Sequence, residues 1–262
     1  MPFSPETLAV ALHTTRFGRA VQYLEETDST IRAAWRWLDE GGPEGAVVIA
    51  GRQHRGQGRR GRTWSSPSGG LWMSVLARPL LRVAQAGRLG MAMALSAAEG
   101  LEAVAGVSVG LKWPNDILLD GRKLAGVLVE TRVEGDRVSA AVLSAGINVN
   151  VDLAALPEGV RAAATSLREA TGAECSLERL AARTLDALER LWPAVTNGGE
   201  GLVTAWHARD LLRGTQVHVV AGSAHLDGVC HGVDPDGALL LTVAGEVQRV
   251  TAGEIDHLRP MA

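Results

Sequence analysis

Apolar residues recur at helical spacing in some stretches of the chain and alternate with polar ones in others, and the two patterns take turns. Ser4-Pro5-Glu6 has the form of a cap and first turn, which predicts a helix over 5–15. Ser29 is placed to cap a second helix over 30–40, stopping at Gly41-Gly42. Strands are expected at 46–50 and 71–78, a long apolar helix at 84–105, and further strands at 107–113, 116–119, 123–133 and 137–149. Asp120-Gly121 and Glu134-Gly135-Asp136 supply the tight turns between the last of these, because those residues tolerate positive φ. Helices follow at 177–191 and 201–209. A sheet built largely of hairpins, with helices beside it, predicts an α+β fold rather than a doubly wound parallel sheet.

The pattern then changes. Short apolar runs at 217–221, 228–233, 238–243 and 246–250 are separated by Gly, Asp and Pro, a spacing that predicts a small closed β-barrel of about 50 residues. The division falls between residues 1–212 and 213–262. No repeat or low-complexity linker marks it.

Composition narrows the classes. With 262 residues, 46% of them hydrophobic, the chain can bury one sizeable core, or one core plus a small satellite. No run reaches the ~18 apolar residues of a membrane span, and MPFSPETLAV lacks the form of a secretory signal, so a cytoplasmic protein without a membrane partner is expected. Cys175 and Cys230 have no partner spacing for a disulfide framework or a zinc site. A net charge of −3 argues against a chain whose main task is holding nucleic acid. Of 26 basic residues only Lys112 and Lys123 are lysines, which directs attention to the segment between them.

Residues 52–62 hold five arginines and three glycines. Gly56, Gly58 and Gly61 spell G-x-G-x-x-G, but Thr63-Trp64-Ser65-Ser66-Pro67 continues as loop where a dinucleotide fingerprint must open a helix. No H-R-D or D-F-G motif follows, so the kinase form fails too. What remains is a cationic loop able to wrap an anion with guanidinium forks and backbone N–H groups, or else a solvated basic loop or nucleic-acid patch. Lys112-Trp113-Pro114-Asn115-Asp116 comes directly off a strand, with Arg122-Lys123-Leu124-Ala125-Gly126 after a hairpin. Pro114 stiffens the turn that presents a lysine, an amide and a carboxylate, a set suited to an activated acyl-phosphate and equally available to a surface ion pair.

Thr27-Asp28-Ser29-Thr30, the loop 56–64, the two lysine motifs and Gly146-Ile147-Asn148 together resemble the biotin–protein ligases, over about residues 20–262. The resemblance implies a catalytic domain similar to class II aminoacyl-tRNA synthetases and lipoate ligases, binding biotin and ATP within 1–212, and an SH3-like barrel in 213–262. It implies a biotin pocket lined by Ser29, Thr30, Gln53 and Lys123, closed by Gly56, Gln57, Gly58 and Arg59. Arg59, Arg60, Arg62, Trp64, Lys112, Asn115, Asp116 and Asn148 are then expected at the nucleotide and adenylate, with Lys123, Arg59 and Lys112 the catalytic set and Asp116 a ligand for Mg²⁺.

Two positions depart from the family pattern: Ile31 stands where many members have Asn, and Gln57 where many have Arg or Lys. The implied reaction activates biotin as biotinyl-5'-AMP and transfers it to a lysine of a biotin carboxyl carrier protein, with homodimerisation a possibility the family suggests. About 25 residues precede the Thr27 motif, which leads one to expect no helix-turn-helix domain and no repressor function. The competing readings are a lipoate–protein ligase on the same core and a nucleic-acid-binding module using the arginine loop.

Overall fold

The computed structural model describes the backbone of residues 3–259 and the side chains of residues 3–255, so the last three residues of the 213–262 unit lie outside it. A seven-strand path, β1 (Val21–Thr27), β2 (Val47–Gln53), β3 (Leu71–Ala77), β8 (Arg137–Ile147), β7 (Arg122–Glu134), β6 (Asp116–Leu119) and β5 (Gly110–Lys112), forms the main sheet, with β4 (Leu81–Arg82) pairing β8 to one side. All pairs are antiparallel except β1 with β2, which confirms the α+β expectation.

Period-two alternation assigns each strand two faces. Val47, Ile49, Val75, Ala141 and Leu143 face a core shared with α3 (Gly87–Ala105) and α6 (Leu177–Thr196). Val48, Leu76 and Val142 face the opposite side, where α2 (Thr30–Asp39) lays down Ile31, Ala33 and Ala34. Because α2 covers only part of that face, the remainder is open toward the loops.

The first helix is shorter than its periodicity suggested. α1 (Pro5–Ala11) ends there because the following backbone is captured by α6: Asp186 accepts from His13 N–H, and Glu189 accepts from the N–H groups of Thr15, Arg16 and Phe17. Burial works to raise the Glu189 carboxyl, but these donors and the Thr15 hydroxyl outweigh it and hold it down at about 2. Strand β1 was not anticipated, since its burial follows no clean alternation. The short helices α4 (Glu158–Arg161) and α5 (Leu167–Thr171) were also missed. Among the described residues no helix is long and apolar enough to cross a membrane.

After α7 (Glu200–His207), strands β9 (Gln216–Ala221), β10 (Ala224–Val233), β11 (Leu239–Val243), β12 (Glu246–Val250) and β13 (Glu254–Arg259) form an antiparallel sheet in the order β12-β11-β10-β9-β13. The expected closed barrel is not what forms among the described residues. β13, absent from the sequence reading, pairs with β9 and leaves β12 as the opposite edge. Arg88 of α3 reaches across to Asp236 at 2.8 Å, and Trp113 Nε1 donates to the Gly237 carbonyl at 3.0 Å, so this sheet is seated on the larger unit.

Candidate active site

A cavity of about 300 Å³ opens on the sheet face that α2 leaves uncovered. Its floor is made by glycines. Gly126 of β7 and Gly146 of β8 are cross-strand partners, and the indole of Trp64 lies against both. A Cβ added at Gly146 would meet Trp64 Nε1 at 2.6 Å, and one at Gly126 would meet its ring at 3.1 Å. Trp64 Nε1 itself is buried without a partner among the described residues.

Beside this floor runs a chain of neutral polar groups. Gln53 Oε1 accepts from the Thr30 backbone N–H at 2.8 Å and from its hydroxyl at 3.1 Å, while Gln53 Nε2 donates to Ser66. Gln53 therefore supplies the α2 capping bond that sequence assigned to Ser29, whose hydroxyl instead donates to Gln57 Oε1 at 3.1 Å. Ser74 donates to Thr30 Oγ1 at 2.8 Å and lies 2.9 Å from Ser144. With the Ser74 proton spent on Thr30, the Ser144 hydroxyl donates to Ser74 and offers the cavity only acceptor lone pairs. Ser74 and Ser144 were missed in the sequence. A serine inside an otherwise apolar strand, as in Leu-Trp-Met-Ser-Val-Leu-Ala of β3, is the signal that could have found them.

The other wall is cationic. Lys123 reaches it through a β-bulge: Ile117 pairs with Ala125 but Leu118 pairs with Lys123, so Leu124 is the extra residue. Plain alternation would place Lys123 with core-facing Ala125, and the bulge turns it to the cavity face of Gly126. Its Nζ lies 2.6 Å from Asp116 Oδ1 and 5.1 Å from the Trp64 ring centre. Lys112, at the end of β5, donates to the Ile255 carbonyl at 3.3 Å. Asn115 is spent on structure, its side chain donating to the Val127 carbonyl at 2.9 Å so that the turn is pinned to β7.

The arginine loop closes over the opening and is held by the C-terminal sheet. Arg59 donates to the Gly253 carbonyl at 3.1 Å, Arg62 pairs with Glu254, and Arg60 stands 3.8 Å from the same carboxylate. Burial pushes the Arg59 guanidinium below its ordinary value. Glu254 opposes this shift, while Arg60 adds to it. It remains a cation at neutral pH. Glu254 and Ile255, both on the cavity wall, could not be found from sequence because β13 was not.

Of the residues expected at the site, Thr30, Gln53, Gln57, Gly58, Arg59, Arg62, Trp64, Lys112, Asn115, Asp116 and Lys123 line this cavity. Ser29 sits one bond behind, on Gln57. The Gly56 carbonyl accepts from Trp64 N–H at 2.9 Å and so shapes the loop. Arg60 adopts a left-handed conformation, φ 54°, on the outer side of the loop. Asn148 is buried away from the cavity, donating to the Thr165 carbonyl at 3.1 Å. Ile31 packs in the α2 core and shows the cavity an apolar side chain. Among the described residues no group of three or more His, Cys, Asp or Glu side chains is placed to hold a metal ion.

The profile of the Biotin/lipoate A/B protein ligase family matches residues 23–150. A biotin–[acetyl-CoA-carboxylase] ligase of Paracoccus denitrificans is 34% identical over 88% of this chain and 98% of its own. The bifunctional ligase/repressor of Bacillus subtilis is 30% identical over 97% of this chain and 78% of its own. Among solved structures, a biotin protein ligase from Aquifex aeolicus in complex with biotin and ATP superposes with a TM-score of 0.77 at 28% identity, covering 93% of this chain and all of that one. The chain belongs to this family, among its biotin–protein ligases.

Proposed function

We infer that the protein is a biotin–protein ligase, using ATP to form biotinyl-5'-AMP and passing the biotinyl group to a lysine of an acceptor protein. The observation that carries this reading is the two-sided cavity. One side, with Trp64, Ile31 and the Ser144-Ser74-Thr30-Gln53 chain, suits a compact body that is apolar but carries N–H donors. The other, with Lys123, Lys112, Arg59 and Arg62, suits a carboxylate and phosphates. The ureido ring of biotin has N–H groups to give Ser144, whereas the dithiolane of lipoate has none, which favours biotin over lipoate. The cations converge on a concavity and are partly neutralised by Glu254, an arrangement unlike the extended basic surface that a duplex needs.

In the first step a biotin carboxylate oxygen bonds to the α-phosphorus of ATP as the bond to pyrophosphate breaks. Lys123 holds the carboxylate and Asp116 holds Lys123. Arg59 and Lys112 meet charge developing on the phosphates, and Arg62 adds to the field. Mg²⁺ would come with the nucleotide. No protein cage is present among the described residues, and a small hard cation bound through phosphates needs only one or two carboxylates; Asp116 and Glu254 line the cavity, and Asp116, on the turn beside the lysines, is the one we assign to it. There it would neutralise the departing pyrophosphate. The acceptor lysine amine then attacks the mixed anhydride carbonyl and AMP leaves. The loop that holds Gly56, Gln57 and Gly58, closed over the adenylate, keeps water from that bond.

The larger unit, 1–212, carries both substrate halves, and 213–262 contributes Gly253–Ile255 to the rim. A biotin carboxyl carrier protein is the acceptor the chemistry fits. Incubation with biotin, ATP–Mg²⁺ and an isolated carrier domain is expected to add one biotinyl mass to a single lysine. An unmodified carrier, or one modified only when lipoate replaces biotin, would contradict the reading.

A further inference from the structure

The outer face of the C-terminal sheet carries a histidine cluster that the reaction does not use. Cross-strand register sets His218 of β9 opposite Asp227 of β10 on one side and opposite His257 of β13 on the other. His225, two residues along β10 from Asp227, belongs to the same face. Three of the chain's seven histidines thus fall at neighbouring positions on three adjacent strands.

The described side chains are arranged in sequence. His218 Nδ1 lies 3.1 Å from Asp227 Oδ1, and His218 Nε2 lies 3.2 Å from His225 Nδ1. An ionised carboxylate only accepts, so the proton of neutral His218 sits on Nδ1 and the Nε2 lone pair faces His225. The ring centres are 5.4 Å apart and tilted by 33°, so the two imidazoles meet through their nitrogen edges rather than their faces. With zinc–nitrogen bonds of about 2.0–2.1 Å, two ligands of a tetrahedral site stand roughly 3.3 Å apart, which the His218–His225 spacing matches. A carboxylate behind an imidazole is also the usual outer partner of a metal-bound histidine, fixing its tautomer and orientation.

We propose that His218 and His225, oriented by Asp227, form the two-imidazole half of a zinc-class transition-metal site on the outer face of the C-terminal sheet. Imidazole suits zinc, copper and nickel among the available divalent metals, and water completes the shell. The metal would tie β9 to β10 at a place where β13 continues back to Gly253–Ile255, the segment holding the arginine loop. Its binding free energy becomes folding free energy of that sheet.

The untagged chain, stripped with chelator, is titrated with zinc chloride against a chromophoric chelator of micromolar affinity, and its melting temperature is followed with and without zinc. The wild type is expected to retain one zinc and to melt higher with it. His225→Ala, an exposed side chain, weakens zinc binding by on the order of a hundredfold and abolishes the melting shift. Asp227→Asn weakens binding roughly tenfold. These variants keep biotin-dependent pyrophosphate exchange, which shows the fold intact. No retention of zinc by the wild type, or equal retention by wild type and His225→Ala, overturns the proposal and leaves a histidine–histidine hydrogen bond.

Discussion

Lys123 Nζ stands 2.6 Å from Asp116 Oδ1, and one extra residue in β7 makes the pair possible. Without the bulge at Leu124 the ammonium would turn toward the core beside Ala125. The Asp116 carboxylate fixes the height of the ammonium above the Trp64 floor. This makes the position demanding of shape as well as charge. A guanidinium is wider and takes two parallel partners, so Lys123→Arg is expected to shift the bound carboxylate by on the order of 1 Å and lower biotin-dependent pyrophosphate release about a hundredfold, with ATP binding and fold retained. Near-normal release would assign Lys123 only generic charge and pass the leading role to Lys112 and the arginine loop.

The paired glycines under Trp64 give a graded test of the floor. Gly146→Ala places a methyl 2.6 Å from the indole nitrogen, whereas Gly126→Ala makes a softer contact at 3.1 Å. Overpacking of this kind costs about 1–3 kcal/mol, which at the cavity floor corresponds to a KM for biotin raised roughly tenfold to a hundredfold by Gly146→Ala. Gly126→Ala should raise it less. An unchanged KM in both variants would mean that Trp64 does not define the biotin side of the cavity.

Much of this was legible in the sequence, for reasons that differ by element. β12 and β6 were located at their ends because turn residues adjoin them, Gly245 before β12 and Pro114 and Asp120-Gly121 around β6, and α3 because its apolar run is long. β1 and β13 were not, since each takes its register from a neighbour and shows little pattern of its own. The same holds at the site. The two lysine motifs pointed to Lys112, Asp116 and Lys123, and all three line the cavity. The motifs could not show that Asn115 and Asn148 are spent on backbone carbonyls, or that Gln53 caps α2 in place of Ser29. Those outcomes depend on which polar group lies nearest once the chain has folded, and Glu254 enters only because β13 delivers it.

Arg59 is half-withdrawn from solvent and anchored to Gly253. Arg59→Gly should remove a charged contact worth about 1.5–3 kcal/mol and let activated biotin escape to lysine-rich bystander proteins. With Lys112 and Lys123 as the enzyme's only lysines, its own labelling should stay low. Bystander labelling equal to that of the wild type would remove Arg59 from the retention of the adenylate.

Glu189 sets an acid limit on stability. Its carboxyl titrates at about 2 in the folded chain and near the ordinary value of 4.5 when unfolded, so its contribution is complete above pH 4.5 and is lost as pH falls toward 2. Glu189→Gln should therefore lower stability at pH 7 by on the order of 1 kcal/mol, allowing for solvent screening. The gap between variant and wild type should narrow as pH falls through that window in thermal melts. A gap independent of pH would show that the carboxylate charge is not what holds Thr15–Phe17.

The central claim is that the cavity activates biotin with ATP, and ATP–pyrophosphate exchange measures this before any acceptor is involved. Labelled pyrophosphate should enter ATP when biotin is present, but not when biotin is omitted or replaced by lipoate at equal concentration. Exchange that runs equally well with lipoate, or that fails with biotin while ATP binds, would contradict the account.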